Sequence, residues 1–185
     1  MTVNKRLIPP LIGTVISTVV LFVLAFDGTG RNRLDPRNLA LANRLASCDS
    51  YELAKSDVRV GYTVDGNIVF DVWSLDGDSR LIDPLHLLMQ FGHTIKDSSI
   101  DHLSIASGGK EVYRLEKSDL DELAREYDSG ARIWAFSHWP ERLRTPSGER
   151  AFESWSGGFL GVMEGQMNDL NEGLSTWLGN AATNK

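Results

Sequence analysis

The chain has a single cysteine, Cys48. One thiol excludes an intrachain disulfide framework and a thiolate metal cluster. Positive charge is also short, with 19 Lys and Arg against 25 Asp and Glu for a formal net charge of −6. Duplex nucleic acid is bound through basic faces that displace counterions, so no nucleic-acid partner is expected. A phosphate-cradling P-loop, a dinucleotide fingerprint and a G-x-S-x-G nucleophile turn are all missing. No cofactor is expected on those grounds. What the chain does have is 42% apolar and 24% charged residues over 185 positions, which excludes wholesale disorder and suits one folded domain.

The longest uncharged run, Leu7–Phe26, is mostly Leu, Ile and Val. Its 20 residues would form a helix about 30 Å long, the thickness of a bilayer's hydrocarbon core. Pro9 and Pro10 stand at its start, where a missing N–H costs little. Residues 1–26 are therefore read as a signal anchor, a retained single-pass transmembrane helix. The alternative is a cleaved signal peptide, with Lys5 and Arg6 as its basic region and cleavage near Ala25, which would release an exported soluble protein. Lys5 and Arg6 hold the amino terminus in the cytoplasm, although Arg31, Arg33 and Arg37 weaken the bias, so the main domain is placed outside the cytoplasm. Residues 27–34 are polar and glycine-bearing and read as a linker. Residues 35–185 are read as one α+β domain.

Periodicity orders that domain. Asp35 and Pro36 open a helix running to about Ala54, whose stripe of Leu41, Leu45 and Cys48 makes the thiol a small core group. Residues 58–74 alternate as a β-hairpin. A three-residue loop pairs Val64 with Ile68, Tyr62 with Phe70 and Val60 with Val72, gathering the apolar side chains on one face. Asn67 then takes the left-handed position, and Arg59 and Asp71 form a diagonal surface ion pair on the other face. A second hairpin over Asp101–Glu116 pairs Leu103 with Leu115 and Ile105 with Tyr113 about Gly108-Gly109-Lys110. A short helix, Pro84–Phe91, lies between the hairpins behind Asp83. A second helix follows Ser118 with Leu120, Leu123, Ala124 and Tyr127 as its buried stripe, and ends at Gly130.

The expected architecture is thus a two-layer sandwich in ββαββα order, with a four- to five-stranded antiparallel sheet and a C-terminal helix. Ile133–Trp139, ending at Pro140, is read as a further strand. After a break near Gly157-Gly158, Phe159 to about Leu178 is read as the last helix, with Gly157, Gly161 and Gly165 as a flat strip for close packing.

Chemistry-bearing residues are few. His86, Gln90 and His93 share one helical stripe, but histidines seven apart are separated by about 10.5 Å and cannot chelate one zinc ion together. That stripe reads as a solvated face. Asp71, Asp76, Asp78 and Asp83 suggest calcium, yet Arg80 and Leu87 fall where an EF-hand loop needs oxygen ligands, so no metal site is expected. His138 could complete a hydrolase with Ser156 or Asp101 only if folding brought them together. No catalytic residue is assigned.

The remaining hint is aromatic. Tyr127, Trp134, Phe136, Trp139, Phe152, Trp155, Phe159 and Trp177 crowd the last third, followed or interleaved by Arg142, Arg144 and Arg150. Protein interfaces are enriched in aromatics and arginine, which makes Trp134, Phe136, His138, Trp139, Arg142, Arg144 and Trp155 the candidate contact residues. The functional expectation is a non-enzymatic binding or accessory subunit of a membrane or cell-envelope complex, held at the membrane by residues 7–26. An exported module for an envelope sugar or peptide is the second reading, and a hydrolase using His138 the third.

Overall fold

A computed structural model describes residues 36–49, 56–155 and 159–183. The expected anchor Leu7–Phe26, linker 27–34, Asp35 cap and Gly157-Gly158 break lie outside these residues. In chain order the elements are α1 (Pro36–Ala46), β1 (Ser56–Tyr62), β2 (Ile68–Leu75), α2 (Asp83–Thr94), β3 (His102–Ser107), β4 (Lys110–Glu116), α3 (Lys117–Asp128), α4 (Arg132–Arg142), β5 (Leu143–Arg144) and α5 (Phe159–Thr183). The fold is α+β, with a five-stranded sheet ordered β1-β2-β3-β4-β5 and a long C-terminal helix. Among the described residues no helix is long and apolar enough to cross a membrane.

The sheet is mixed, which corrects the antiparallel expectation. β1–β2, β3–β4 and β4–β5 run antiparallel, whereas β2 and β3 pair parallel, Ile68 opposite Leu103 and Phe70 opposite Ile105. The cause is the connection. α2 carries the chain from the end of β2 back to the end where β2 began, and a strand entering there beside β2 must run the same way.

Both hairpins put their apolar residues on the expected face, but by different means from those expected. In the first, Tyr62 faces Ile68, Val60 faces Phe70 and Val58 faces Val72, so the pairing is two residues from the expected register and the loop is Thr63–Asn67. A slip of two preserves the alternation, which is why the core face survives. Gly66 takes the positive φ (86°) rather than a non-glycine residue having to do so. The buried Asn67 has another role: its Oδ1 accepts the N–H groups of Asp101 and His102 at 2.9 and 3.1 Å, tying this loop to β3. In the second hairpin Leu103–Leu115 and Ile105–Tyr113 pair as expected. The odd residue is a bulge beyond Ile105, and the turn itself is Gly108-Gly109, with φ of 59° and 84°.

α1 ends at Ala46 rather than near Ala54. Its buried Asn38 accepts the Tyr62 N–H (2.9 Å), and Arg37 lies over the Tyr62 ring, so α1 covers one end of the edge strand β1. Ile82, not Asp83, precedes the first turn of α2, and Glu116, not Ser118, precedes that of α3. The α3 stripe of Leu120, Leu123, Ala124 and Tyr127 is buried as its spacing requires.

Among the described residues one apolar core joins Val58, Val60, Phe70, Leu103, Ile105 and Leu115 of the sheet to residues from each of the five helices. Within it an aromatic chain runs from sheet to helices: Phe91 against Phe70 (5.8 Å between ring centroids), Phe70 against Trp177 (6.1 Å) and Trp177 against Trp139 (5.9 Å). Trp177 also donates its indole N–H to the Ala106 carbonyl at 2.9 Å, which fixes α5 on the sheet.

Candidate functional site

Residues 132–142 form a helix, α4, and not the strand expected of Ile133–Trp139. Only Ile133 in that segment is β-branched, while Ala135 and Trp139, four apart, are both buried as one turn of a helix demands. Pro140 lies inside the last turn, where its missing N–H leaves one rung of the helix ladder unmade. Gly130, at φ 92°, ends α3 and turns the chain into α4.

A helix sorts these side chains differently from a strand. Trp139 is 0% exposed and packs on Trp177, so it belongs to the core and is no contact residue. Trp134, on the same helix, is 54% exposed, and Ile133 is 76% exposed. Across from them α5 presents Met163 and Met167, 42% and 44% exposed. Between the two helices lies a groove of about 570 Å³ lined by Gly130, Ala131, Ile133, Trp134, Ser137, Met163, Gln166 and Met167. Its polar side chains are engaged on its walls: Ser137 Oγ donates to the Trp134 carbonyl (3.0 Å), and Gln166 Nε2 donates to Glu141 (2.8 Å).

The other candidates are distributed around this groove without converging on it. Phe136 turns inward, edge-on to His86 at 4.7 Å and beside Tyr127 at 5.8 Å. His138 lies 5.7 Å from the Trp134 ring and has Nδ1 3.7 Å from Glu126 Oε2. Arg142 is held against α3, donating to Asp119 at 2.7 Å and lying 3.1 Å from Glu122. Arg144, on β5, pairs with Glu116 at 3.3 Å. Trp155 is 44% exposed, donates its indole N–H to Asp169 (2.7 Å) and lies over Gly165, where a Cβ would come within 2.5 Å of the ring. Of the glycine strip, then, Gly165 serves close packing, Gly161 meets nothing within 4 Å among the described residues, and Gly157 lies outside them.

Sequence reasoning did not single out Ile133, Met163 or Met167 as contact residues. The signal available was width. The stripe from Met163 to Trp177 is buried at Leu170, Leu174 and Trp177, and its amino-terminal methionines outrun the core that covers it.

The remaining chemical candidates resolve into structure. His86 is not solvated: its Nδ1 meets the Tyr127 hydroxyl at 2.8 Å, and burial depresses its pKa. His93 pairs with Asp128. Asp71 is directly opposite Arg59 and fully buried, not a surface ion pair; Arg59 instead binds Asp57 at 2.7 Å and stacks 3.9 Å over Trp73. Asp71 accepts the Gly109 N–H at 3.0 Å, which pins the second hairpin's turn to β2, and burial raises its pKa. The Asp76 backbone carbonyl accepts the Ser79 N–H at 2.9 Å in a tight turn. Among the described residues no three His, Cys, Asp or Glu side chains converge on a metal position. Cys48 is buried, its thiol pKa pushed up to about 11 by burial and by Asp49. Asp101 donates its backbone N–H to Asn67 Oδ1, accepts the Lys117 N–H at its backbone carbonyl and is exposed, and Ser156 is outside the described residues.

No protein-family model, no curated protein and no solved structure matches the chain.

Proposed function

We propose that this protein is a membrane-anchored, non-enzymatic binding or accessory subunit of a membrane or cell-envelope complex, and that the groove between α4 and α5 is its contact surface. The observation that carries the reading is the exposure of Ile133, Trp134, Met163 and Met167 around one concavity. Large apolar groups gathered at one surface point mark association sites far more than scattered ones do.

Leu7–Phe26 is the single-pass anchor, with the domain outside the cytoplasm, and the eight-residue linker 27–34 keeps the domain within about 28 Å of the bilayer. Confinement at that range raises the effective concentration of the groove near any other membrane component. The apolar lining supports a protein partner over a sugar, because recognition of a sugar relies on convergent polar groups and Ser137 and Gln166 are tied to Trp134 and Glu141.

Purification of the full chain from detergent-solubilised membranes through a carboxyl-terminal tag tests the proposal. A stoichiometric companion lost in Trp134→Ala, with folding intact, is the expected result. Elution of a soluble product lacking residues 1–25 would replace the anchor with a cleaved signal and favour an exported ligand-binding module.

A further inference from the structure

We infer that the occupant of the α4–α5 groove is the apolar face of a cationic amphipathic helix from a partner protein. The inference rests on the groove being the contact surface proposed above, and adds the partner's chemistry. The first ground is charge. Helix α5 has no Lys or Arg along its whole length, and of its acids Glu164 stands by the groove while Asp169 holds the Trp155 indole and Glu172 lies toward Tyr113. Glu164 is exposed beside Met163, and Glu141 of α4 holds Gln166 at the groove wall. Of the arginines of α4, Arg142 is paired with Asp119 and Glu122 of α3, and Arg132 keeps its charge but is turned onto the Tyr127 ring of α3. An apolar floor with an acidic border is complementary to leucine-like side chains flanked by Lys or Arg.

Shape is the second ground. Strand addition needs an open ladder of backbone N–H and C=O groups, which a groove between two helices lacks, whereas a helix can insert side chains three and four residues apart. Met163 and Met167 supply unbranched, polarisable walls that adapt to such knobs. The same charge argues against other occupants. A second copy would bring α5 against its own acidic surface, and a membrane rich in anionic lipid would be repelled by it.

The test uses the full chain in phosphatidylcholine nanodiscs, with a benzophenone amino acid replacing the exposed Ile133. Three synthetic peptides share one leucine stripe and carry Lys, Gln or Glu on the polar face. Only cross-links to position 133 are counted, so binding to lipid does not score. The Lys peptide should half-saturate cross-linking at a concentration roughly fivefold or more below the Gln peptide, with the Glu peptide weakest. Glu164→Lys should remove most of that advantage, and Met163→Ser with Met167→Ser should weaken all three. Equal half-saturation by the three peptides would overturn the cationic partner and leave the groove as a contact surface. Failure of every peptide, or cross-links to lipid or a second copy instead, would overturn this occupant. Chains that leave the nanodisc would count against the anchor alone, a separate readout.

Discussion

Two tryptophans five residues apart on α4 have opposite fates. Trp139 points into the molecule, fully buried between Trp177 and Gly173; Trp134 points out and is more than half exposed beside Met163 and Met167. Residue type and local sequence do not separate them. What does is the side of the helix each occupies once α4 lies on α5, and with it whether an indole stabilises the fold or remains open to a partner. The inner face of α4 is therefore an energetic region and its outer face a recognition region, and each can be perturbed without the other.

The largest expected effect is on the inner face. Trp139→Ala should destabilise the protein by about 3–5 kcal/mol, read from denaturant unfolding, because it empties a large cavity between α4, α5 and the sheet. Trp139→Phe should cost far less. Among the described residues the buried Trp139 indole N–H has no hydrogen-bond partner, so Phe keeps most of the apolar contact and removes an unsatisfied donor. If alanine and phenylalanine cost the same, the inner-face assignment fails.

The next contrast lies along α5. A Cβ at Gly173 would stand 3.1 Å from Trp139 Cζ3, so Gly173→Ala should lose its helix-propensity gain to crowding and leave thermal stability unchanged or lowered by about 1 kcal/mol. Gly161 meets nothing within 4 Å among the described residues, and Gly161→Ala should stabilise by about 0.5–1 kcal/mol. Equal shifts at both positions would mean that α5 does not approach Trp139 closely.

Asp71 offers a pH test of the sheet, independent of both faces of α4. Its pKa is raised in the folded state, chiefly by burial, so folding favours its protonated form. That contribution is present at low pH and is lost as pH rises from the ordinary 3.8 through the raised folded value. Asp65 and Glu111 have the opposite sign, their pKa values lowered by hydrogen bonds from Thr63 and Asn67 and, against burial, from Arg114 and Ser104, so the wild-type curve mixes all three. Subtracting the Asp71→Asn curve isolates Asp71: relative to the variant, the wild type should lose stability across that acid window. A flat difference would place Asp71 in a solvated site.

The smallest stability effect is expected on the outer face. Trp134→Ala should change unfolding free energy by no more than about 0.5 kcal/mol while weakening partner association at least tenfold. Loss of folding in this variant would erase the distinction between the two tryptophans.

How much of this was legible depends on whether a residue's neighbours lie near it in sequence. The α3 stripe and the Leu103–Leu115 and Ile105–Tyr113 pairs were readable because a helix turn and a short hairpin join residues close in the chain. The β1–β2 register was readable only to parity. Alternation selects a face, and it is the glycine at position 66 and the Asn67 bonds to β3 that select among registers two apart. The segment from Ile133 to Trp139 was misread because aromatic residues suit strands and its seven residues carry both periods at once. Of the candidate contact residues, Trp134 and Trp155 are exposed; Phe136 and Trp139 face inward, and Arg142 and Arg144 are in ion pairs, which spacing alone does not specify.

By itself the sequence determined where most helices and strands lie, which face of each hairpin is apolar, and that Leu7–Phe26 carries no charge, since these follow from backbone period and side-chain hydrophobicity within a few residues. Only the tertiary structure decided that β2 and β3 run parallel, that Asn67 and Asp71 are buried pins, and that Trp139 is core while Trp134, Met163 and Met167 border a groove. Those outcomes depend on which surfaces meet after elements far apart in the chain pack together. An apolar side chain becomes core or contact according to whether packing leaves it a neighbour.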